Sequence, residues 1–192
     1  MANFYFKYGA MEAGKTTALL QAAYNYTRKG MKIIVIKSST DKKGDDTIVS
    51  RLGISRKVDY LIEPDEKILD RVKLDDLDCI LVDEVQFMTP KQVKELWLIA
   101  QLRDIPVICY GLKTTFKGEF FIGSKPAMEL ADVIEELPII CSCGSDAKFN
   151  ARKINGEFVV EGAEVAIDGQ DAEYESLCGK CYIQKVLKIT KI

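Results

Sequence analysis

The sequence predicts an α/β fold in which a parallel sheet is flanked by helices and a small cysteine-bearing module follows. Three observations predict it. A glycine-bounded loop stands between a short apolar run and a segment of helical periodicity, over residues 3–29. Continuous apolar runs recur at 32–37, 79–83 and 105–110, as in strands covered on both faces. Two cysteine pairs lie about 35 residues apart late in the chain, where the strand–helix alternation has stopped.

Composition sets the bounds. The 192 residues suit one domain with a small appendage, on a prior of roughly 100–200 residues per domain. An apolar content of 47% suffices for a packed core. A net charge of −2 argues against a broadly basic surface for nucleic acid. No stretch approaches the ~18 unbroken apolar residues of a membrane span. The opening MANFYFKY lacks the basic start and apolar core of a signal peptide. The chain therefore reads as cytoplasmic, with no membrane partner. In that reducing setting, clustered cysteines suggest metal or redox chemistry. The sequence has no histidine, so a general base must be a carboxylate, Lys, Tyr or Cys, and a zinc site must use Cys or carboxylate.

In order, residues 3–8 (NFYFKY) read as a buried strand and 9–16 as the glycine loop. A helix follows from about 16 to 29, with Leu20, Ala23, Tyr24 and Thr27 on its inner face and Gly30 ending it. KIIVIK (32–37) is the next strand. Residues 39–53 are polar and uneven, which predicts a mobile loop. CILVD (79–83) is a buried strand. Pro90 starts a helix whose apolar face carries Val93, Leu96, Trp97 and Ala100, and IPVICY (105–110) is a further strand. This alternation implies right-handed βαβ crossovers. The pattern changes at Leu137-Pro138, dividing the chain into 1–137 and a module of 138–192.

Gly9-Ala10-Met11-Glu12-Ala13-Gly14-Lys15-Thr16 matches G-x-x-x-x-G-K-[ST]. The glycines let backbone N–H groups turn toward a phosphate, and the following helix presents its positive end. The nucleotide-binding set is Gly9, Met11, Ala13, Gly14, Lys15, Thr16 and Thr17, with Lys15 reaching the β- and γ-phosphates and Thr16 able to bind Mg²⁺. A bare glycine turn is the alternative; the strand before it and the helix after it favour the phosphate loop. Cys79–Glu84 then has the form of a Walker B strand. Asp83, at its carboxyl end, is placed to hold hydrated Mg²⁺. Glu84 is the best candidate for a catalytic base, although in many ATPases such a residue activates water instead. A solvated, merely capping Asp-Glu pair is the bland alternative. Together these elements define a P-loop, RecA-like sheet.

Four segments resemble the type II (cytosolic, tetrameric) thymidine kinases over nearly the whole chain: GAMEAGKTT (9–17), VDEVQF (82–87), YGLKTTFKGEFFIGS (110–124), and CGSDAKFNAR with VAIDGQDAEYESLCGKCY (165–182); SRLGIS (51–56) is a weaker match. The resemblance implies transfer of the ATP γ-phosphate to the 5′-hydroxyl of thymidine, in nucleotide salvage for DNA synthesis, with deoxyuridine a further acceptor. It implies Glu84 as base and Asp83 as the magnesium-associated carboxylate. It also implies a nucleoside pocket from Met11, Gln86, Phe87, Leu112, Phe116, Phe121 and Asn150, with Val165, Ile167, Gly169 and Tyr174 in a loop over the base. Flat apolar side chains suit a pyrimidine ring, although a lone Phe is more often core. Phe120 reads as plain packing. Feedback binding of thymidine triphosphate and a homotetramer are further expectations of the resemblance.

Cys178-Gly-Lys-Cys181 has zinc-ribbon spacing, whereas Cys141-Ser-Cys143 is a shorter arm than usual. The expectation is structural Zn²⁺ held by Cys141, Cys143, Cys178 and Cys181, in a zinc-ribbon-like module. Free thiols, or a metal bound by Cys178 and Cys181 in concert with a partner, stay open. Cys79 and Cys109 read as core. Gly179, Lys113, Thr115 and Lys43 depart from the residues common in the family, which leaves phosphate contacts of the 41–43 loop open. Two other readings compete: a small P-loop ATPase with a zinc ribbon acting on DNA or as a switch, and a nucleotide-binding module without catalysis. The YGLKTTFKGEFF segment favours a nucleoside pocket over the first; intact Lys15, Thr16, Asp83 and Glu84 argue against the second.

Overall fold

The computed structural model describes residues 2–41, 46–163 and 172–190. β1 (Phe4–Tyr8) runs into the glycine loop, and α1 (Lys15–Arg28) leaves it for β2 (Ile33–Ser38). A hairpin of β3 (Thr47–Val49) and β4 (Ser55–Lys57) leads to β5 (Tyr60–Ile62) and the single-turn α2 (Ile68–Arg71). β6 (Cys79–Asp83) ends in a 3₁₀ turn, Val85–Phe87; α3 (Pro90–Arg103) then returns the chain to β7 (Val107–Gly111), and α4 (Ser124–Leu130) to β8 (Val133–Glu136). β9 (Phe149–Ile154), β10 (Glu157–Val159), β11 (Ala172–Leu177) and α5 (Gly179–Lys185) complete it.

The main sheet has six strands in the order β5-β2-β6-β7-β1-β8, and every pairing in it is parallel. The apolar runs supply both of its faces by alternation. On one face lie Phe4 and Phe6, Ile34 and Ile36, Ile80 and Val82, Val107 and Cys109, covered by Val93, Leu96, Ile99 and Ala100 of α3. On the other lie Val35, Cys79, Leu81, Ile108 and Tyr110, covered by Leu19, Leu20 and Ala23 of α1. Each such aliphatic side chain contributes about 1.5–3 kcal/mol by leaving water. A separate antiparallel sheet, β10-β9-β11, packs with α5 around a small core holding Cys141, Cys178 and Cys181. No helix among the described residues is long and apolar enough to cross a membrane.

The helices α1 and α3 and the strands β1, β2, β6 and β7 fall where periodicity and apolar runs put them, whereas α2, α4, α5, β9 and β11 match no element predicted from the sequence; three further differences stand out. Tyr24 is 60% exposed and Thr27 is exposed as well, because the inner face of α1 is centred on Leu19, Leu20 and Ala23. The 39–53 stretch is partly ordered: Thr47-Ile48-Val49 pairs with β4, since buried Ile48 packs on the α1 side of the sheet with Val58; residues 42–45, including Lys43, lie outside the described residues. Phe120 is 45% exposed rather than packed.

Candidate active site

All six main-sheet strands point the same way, so their carboxyl ends share one edge, where α/β proteins bind ligands. Register sets the depth. Tyr8 pairs with Gly111 and Val82 with Cys109, so β7 separates the glycine loop from Asp83 by two strand spacings, about 10 Å.

The loop itself needs its sequence. Gly14 has φ +75°, in the left-handed region, and Glu12 shares that conformation with φ 69°. A Cβ on Gly9 would stand 2.7 Å from the Ala13 Cβ and 2.8 Å from the Leu137 carbonyl oxygen. Lys15 is buried and curls along the loop, its Nζ donating to the carbonyls of Ala10 (2.9 Å) and Gly9 (3.2 Å). Thr16 and Thr17 are half-buried in the first turn of α1. Glu12 pairs with Arg51 of the β3–β4 turn. Met11 is gripped from the small sheet: its N–H donates to Asn150 Oδ1 (2.8 Å) and its carbonyl accepts from Ser176 Oγ (2.7 Å). Asn150 also donates through Nδ2 to the Thr114 carbonyl (3.1 Å), joining the phosphate loop to the segment after β7.

Asp83 is 4% exposed at the end of β6, in register with the fully buried Lys37 of β2. Lys37 Nζ lies 3.2 Å from the Asp41 carboxylate. Burial first, then the negative charges of Glu84 and Asp41, push the Asp83 carboxyl up to about 8, against the pull of Lys37. Glu84 adopts a left-handed backbone, φ 49° and ψ 47°, a conformation that costs a non-glycine residue of order 1–3 kcal/mol. This bend swings its half-exposed carboxylate off the strand axis into the edge. Gln86 holds it there: Nε2 donates to Glu84 Oε2, while Oε1 accepts from the Leu112 N–H (3.0 Å). Both ends of the buried Gln86 amide are thus engaged within the protein.

Phe87 and Phe121 meet edge to face, with centroids 6.0 Å apart, at this same edge. Leu112 is buried beside them, its carbonyl accepting from Ser124 Oγ (2.5 Å). Gly123 lets the segment press on the 3₁₀ turn, since a Cβ there would fall 2.2 Å from the Val85 carbonyl oxygen. Buried Phe116 is fixed through its carbonyl, which accepts from Tyr182 Oη (2.6 Å), and through its ring, over which Arg152 lies at 3.9 Å. Tyr174 reaches the group by accepting from Arg152 Nε (2.9 Å). Val165, Ile167 and Gly169 lie outside the described residues.

The sulfur atoms of Cys141, Cys143, Cys178 and Cys181 all lie within 4.8 Å of one another. Tetrahedral zinc with bonds of about 2.3 Å wants its sulfurs just under about 4 Å apart, so the donor set fits. The short arm works through a tight turn: the Cys141 N–H and carbonyl bond Ser145 and Gly144, with Gly144 at φ +88°. The Ser145 backbone N–H pulls the Cys143 thiol down to about 6, whereas hydrogen bonding to the sulfurs of Cys143 and Cys178 pushes Cys181 up to about 12. A divalent cation would relieve that crowding and take all four as thiolates.

The family model described as thymidine kinase matches residues 2–182. The chain belongs to the thymidine kinase family. The thymidine kinase of Shewanella oneidensis is 44% identical over 186 residues, covering 94% of this chain and 96% of that protein. Those of Pasteurella multocida (41% over 191 residues, 97% and 99% covered) and Escherichia coli O157:H7 (41% over 188, 95% and 91%) match at similar extent. Among solved structures, AMPPCP-bound DnaA from Aquifex aeolicus aligns over 71% of this chain and 41% of its own, at 17% identity and a TM-score of 0.41.

As a member of the thymidine kinase family the chain is an ATP-dependent kinase, and the loop, the carboxylates and the aromatic pair stand together at one edge. Sequence reasoning missed three residues that shape the site, one at that edge and two on the small sheet. Lys37 carried a readable signal, a lysine ending an otherwise apolar strand that is covered on both faces. Arg152 and Ser176 lie within the family-like segments 143–152 and 165–182, but nothing local marks them out, because their partners come from remote segments.

Proposed function

We propose that this chain transfers the γ-phosphate of ATP to the 5′-hydroxyl of thymidine, with deoxyuridine a second acceptor, yielding the monophosphate for nucleotide salvage. The observation that carries the proposal is the meeting of the glycine loop, Glu84 and the Phe87–Phe121 pair at one sheet edge, in a chain of this family. Gly9, Met11, Ala13, Gly14 and Thr17 shape the phosphate cradle, and Lys15 leaves its loop carbonyls to take the β- and γ-phosphates. Thr16 and Asp83 hold Mg²⁺, which when bound neutralises charge spreading over the transferring phosphoryl group. Glu84 accepts the proton of the 5′-hydroxyl as that oxygen bonds the γ-phosphorus; the bond to the bridging oxygen breaks and ADP departs. Gln86, drawn in with the pocket, serves best by aiming Glu84.

Met11, Phe87, Leu112, Phe116, Phe121, Asn150 and Tyr174 enclose the nucleoside, with Val165, Ile167 and Gly169 completing the pocket outside the described residues. The four cysteines hold structural zinc, four protein ligands leaving no open position for catalysis. Residues 1–137 act as the nucleotide domain and 138–192 as the substrate module. Feedback binding of thymidine triphosphate, a homotetramer and a cytoplasmic location complete the reading. Purified protein given Mg-ATP and a panel of nucleosides tests it. Product is expected with thymidine and deoxyuridine and little with purine nucleosides. DNA-stimulated ATP hydrolysis without nucleoside phosphorylation would overturn it.

A further inference from the structure

Arg152 occupies an unusual place for a charged side chain. It sits on the central strand β9, in register with Tyr174 of β11 on one side and Val159 of β10 on the other, and is 3% exposed. Its guanidinium lies 3.9 Å from the centroid of the Phe116 ring and 5.3 Å from that of Tyr174. Nε donates to Tyr174 Oη (2.9 Å) and an NH group to the Ala163 carbonyl (2.7 Å). One rigid plane therefore touches three chain segments: the loop after β7, the stretch that follows β10, and β11. Burying a guanidinium is costly unless its donors are used and its faces covered. Here hydrogen bonds and aromatic faces meet both requirements.

We infer that Arg152 is a positioning residue of the nucleoside pocket, fixing Phe116 and Tyr174 relative to each other so that they meet the base already oriented. The inference rests on the thymidine kinase reading given above. Phe116 is held at its carbonyl by Tyr182, but nothing in that bond sets the tilt of its ring. Arg152 sets it by stacking, and sets Tyr174 by a hydrogen bond from the same plane. A pocket whose walls are fixed beforehand loses less freedom on binding, and the gain appears in nucleoside affinity rather than in the phosphoryl-transfer step. Tyr174, Ala163 and Phe116, which the guanidinium contacts, lie outside the phosphate loop, so ATP binding is expected to be independent of it.

Steady-state kinetics with each substrate varied tests this. Lysine keeps the charge at 152 but offers neither a stacking plane nor a fork of donors. Arg152→Lys is expected to raise the KM for thymidine about tenfold or more, with kcat changed less than about threefold and the KM for ATP within about twofold. Tyr174→Phe deletes only the hydroxyl that Nε bonds; it is expected to raise the thymidine KM by a smaller factor, and to add little when combined with Arg152→Lys, because the two share one interaction. A thymidine KM for Arg152→Lys within about twofold of wild type, or a parallel rise in the KM for ATP, would overturn the inference. Additive effects of the two substitutions would do the same. Wild-type protein that forms no thymidine monophosphate removes the underlying reading and the inference with it; an active wild type with an unaffected Arg152→Lys removes the inference alone.

Discussion

Asp83 illustrates how much of the chemistry is set by burial of single side chains. With 4% of its surface exposed and Glu84 and Asp41 beside it, its carboxyl is pushed from an ordinary 3.8 up to about 8. Folding therefore favours the protonated form, and the sign of the pH effect follows. The stability that this group contributes to the ligand-free protein is fully present below pH 3.8 and is lost as pH rises through about 8. Denaturant unfolding over that range is expected to show the decline, and Asp83→Asn, which stays neutral, is expected to flatten it; an equal slope in the variant would exclude Asp83 as its source. Binding of Mg-nucleotide should strengthen across the same window, since a cation needs the carboxylate ionised. At this level the sequence is a good guide. Lys15, Asp83 and Glu84 were readable because motif spacing encodes their neighbours. The left-handed backbone of Glu84 and the inward use of the Gln86 amide were not, because neither leaves a compositional trace.

Elements were legible where a continuous apolar run or an amphipathic period marked them; β9 and β11, six residues each of mixed polar and apolar character, carry no such mark. β1, β2, β6 and β7 are long enough for an apolar run to register, and α3 announces itself through Pro90 and the apolar face of Val93, Leu96, Trp97 and Ala100. That start is a full capping box: Thr89 Oγ1 accepts from the Gln92 N–H, and the Gln92 side chain accepts from the Thr89 N–H. Thr89→Ala is expected to destabilise the fold by about 1 kcal/mol, read as a lower denaturant midpoint at unchanged slope. No change would mean that Pro90 and the tertiary contacts of Gln92 with the Glu63 and Glu66 carbonyls suffice. By contrast β3, β4 and β5 have three residues each and α2 a single turn, too short for any period to show. They are held by tertiary contacts, such as the Glu95 carboxylate capping the first N–H groups of α2.

The molecule as a whole joins its two sheets at the phosphate loop. The bonds of Met11 to Asn150 and Ser176 span 139 and 165 residues, so no local pattern could foretell them. The cysteine cluster reaches the proposed nucleoside pocket by another route: Tyr182 follows Cys181, stacks on Phe149 and donates to the Phe116 carbonyl. Loss of the proposed zinc should therefore weaken nucleoside binding more than ATP binding. Elemental analysis is expected to find zinc in the wild type and to find it depleted in Cys178→Ser, whose thymidine KM should rise more than its KM for ATP. Wild-type thymidine binding in a zinc-free variant would disconnect the cluster from the pocket.

In the proposed reaction Glu84, bent out of its strand and held by Gln86, takes the proton from the nucleoside hydroxyl. Single-turnover transfer from Mg-ATP to thymidine, measured beside the dissociation constants of both substrates, tests it directly in Glu84→Gln. The predicted result is a rate lower by about 10²–10⁴-fold with both dissociation constants unchanged. Transfer at the wild-type rate would contradict it.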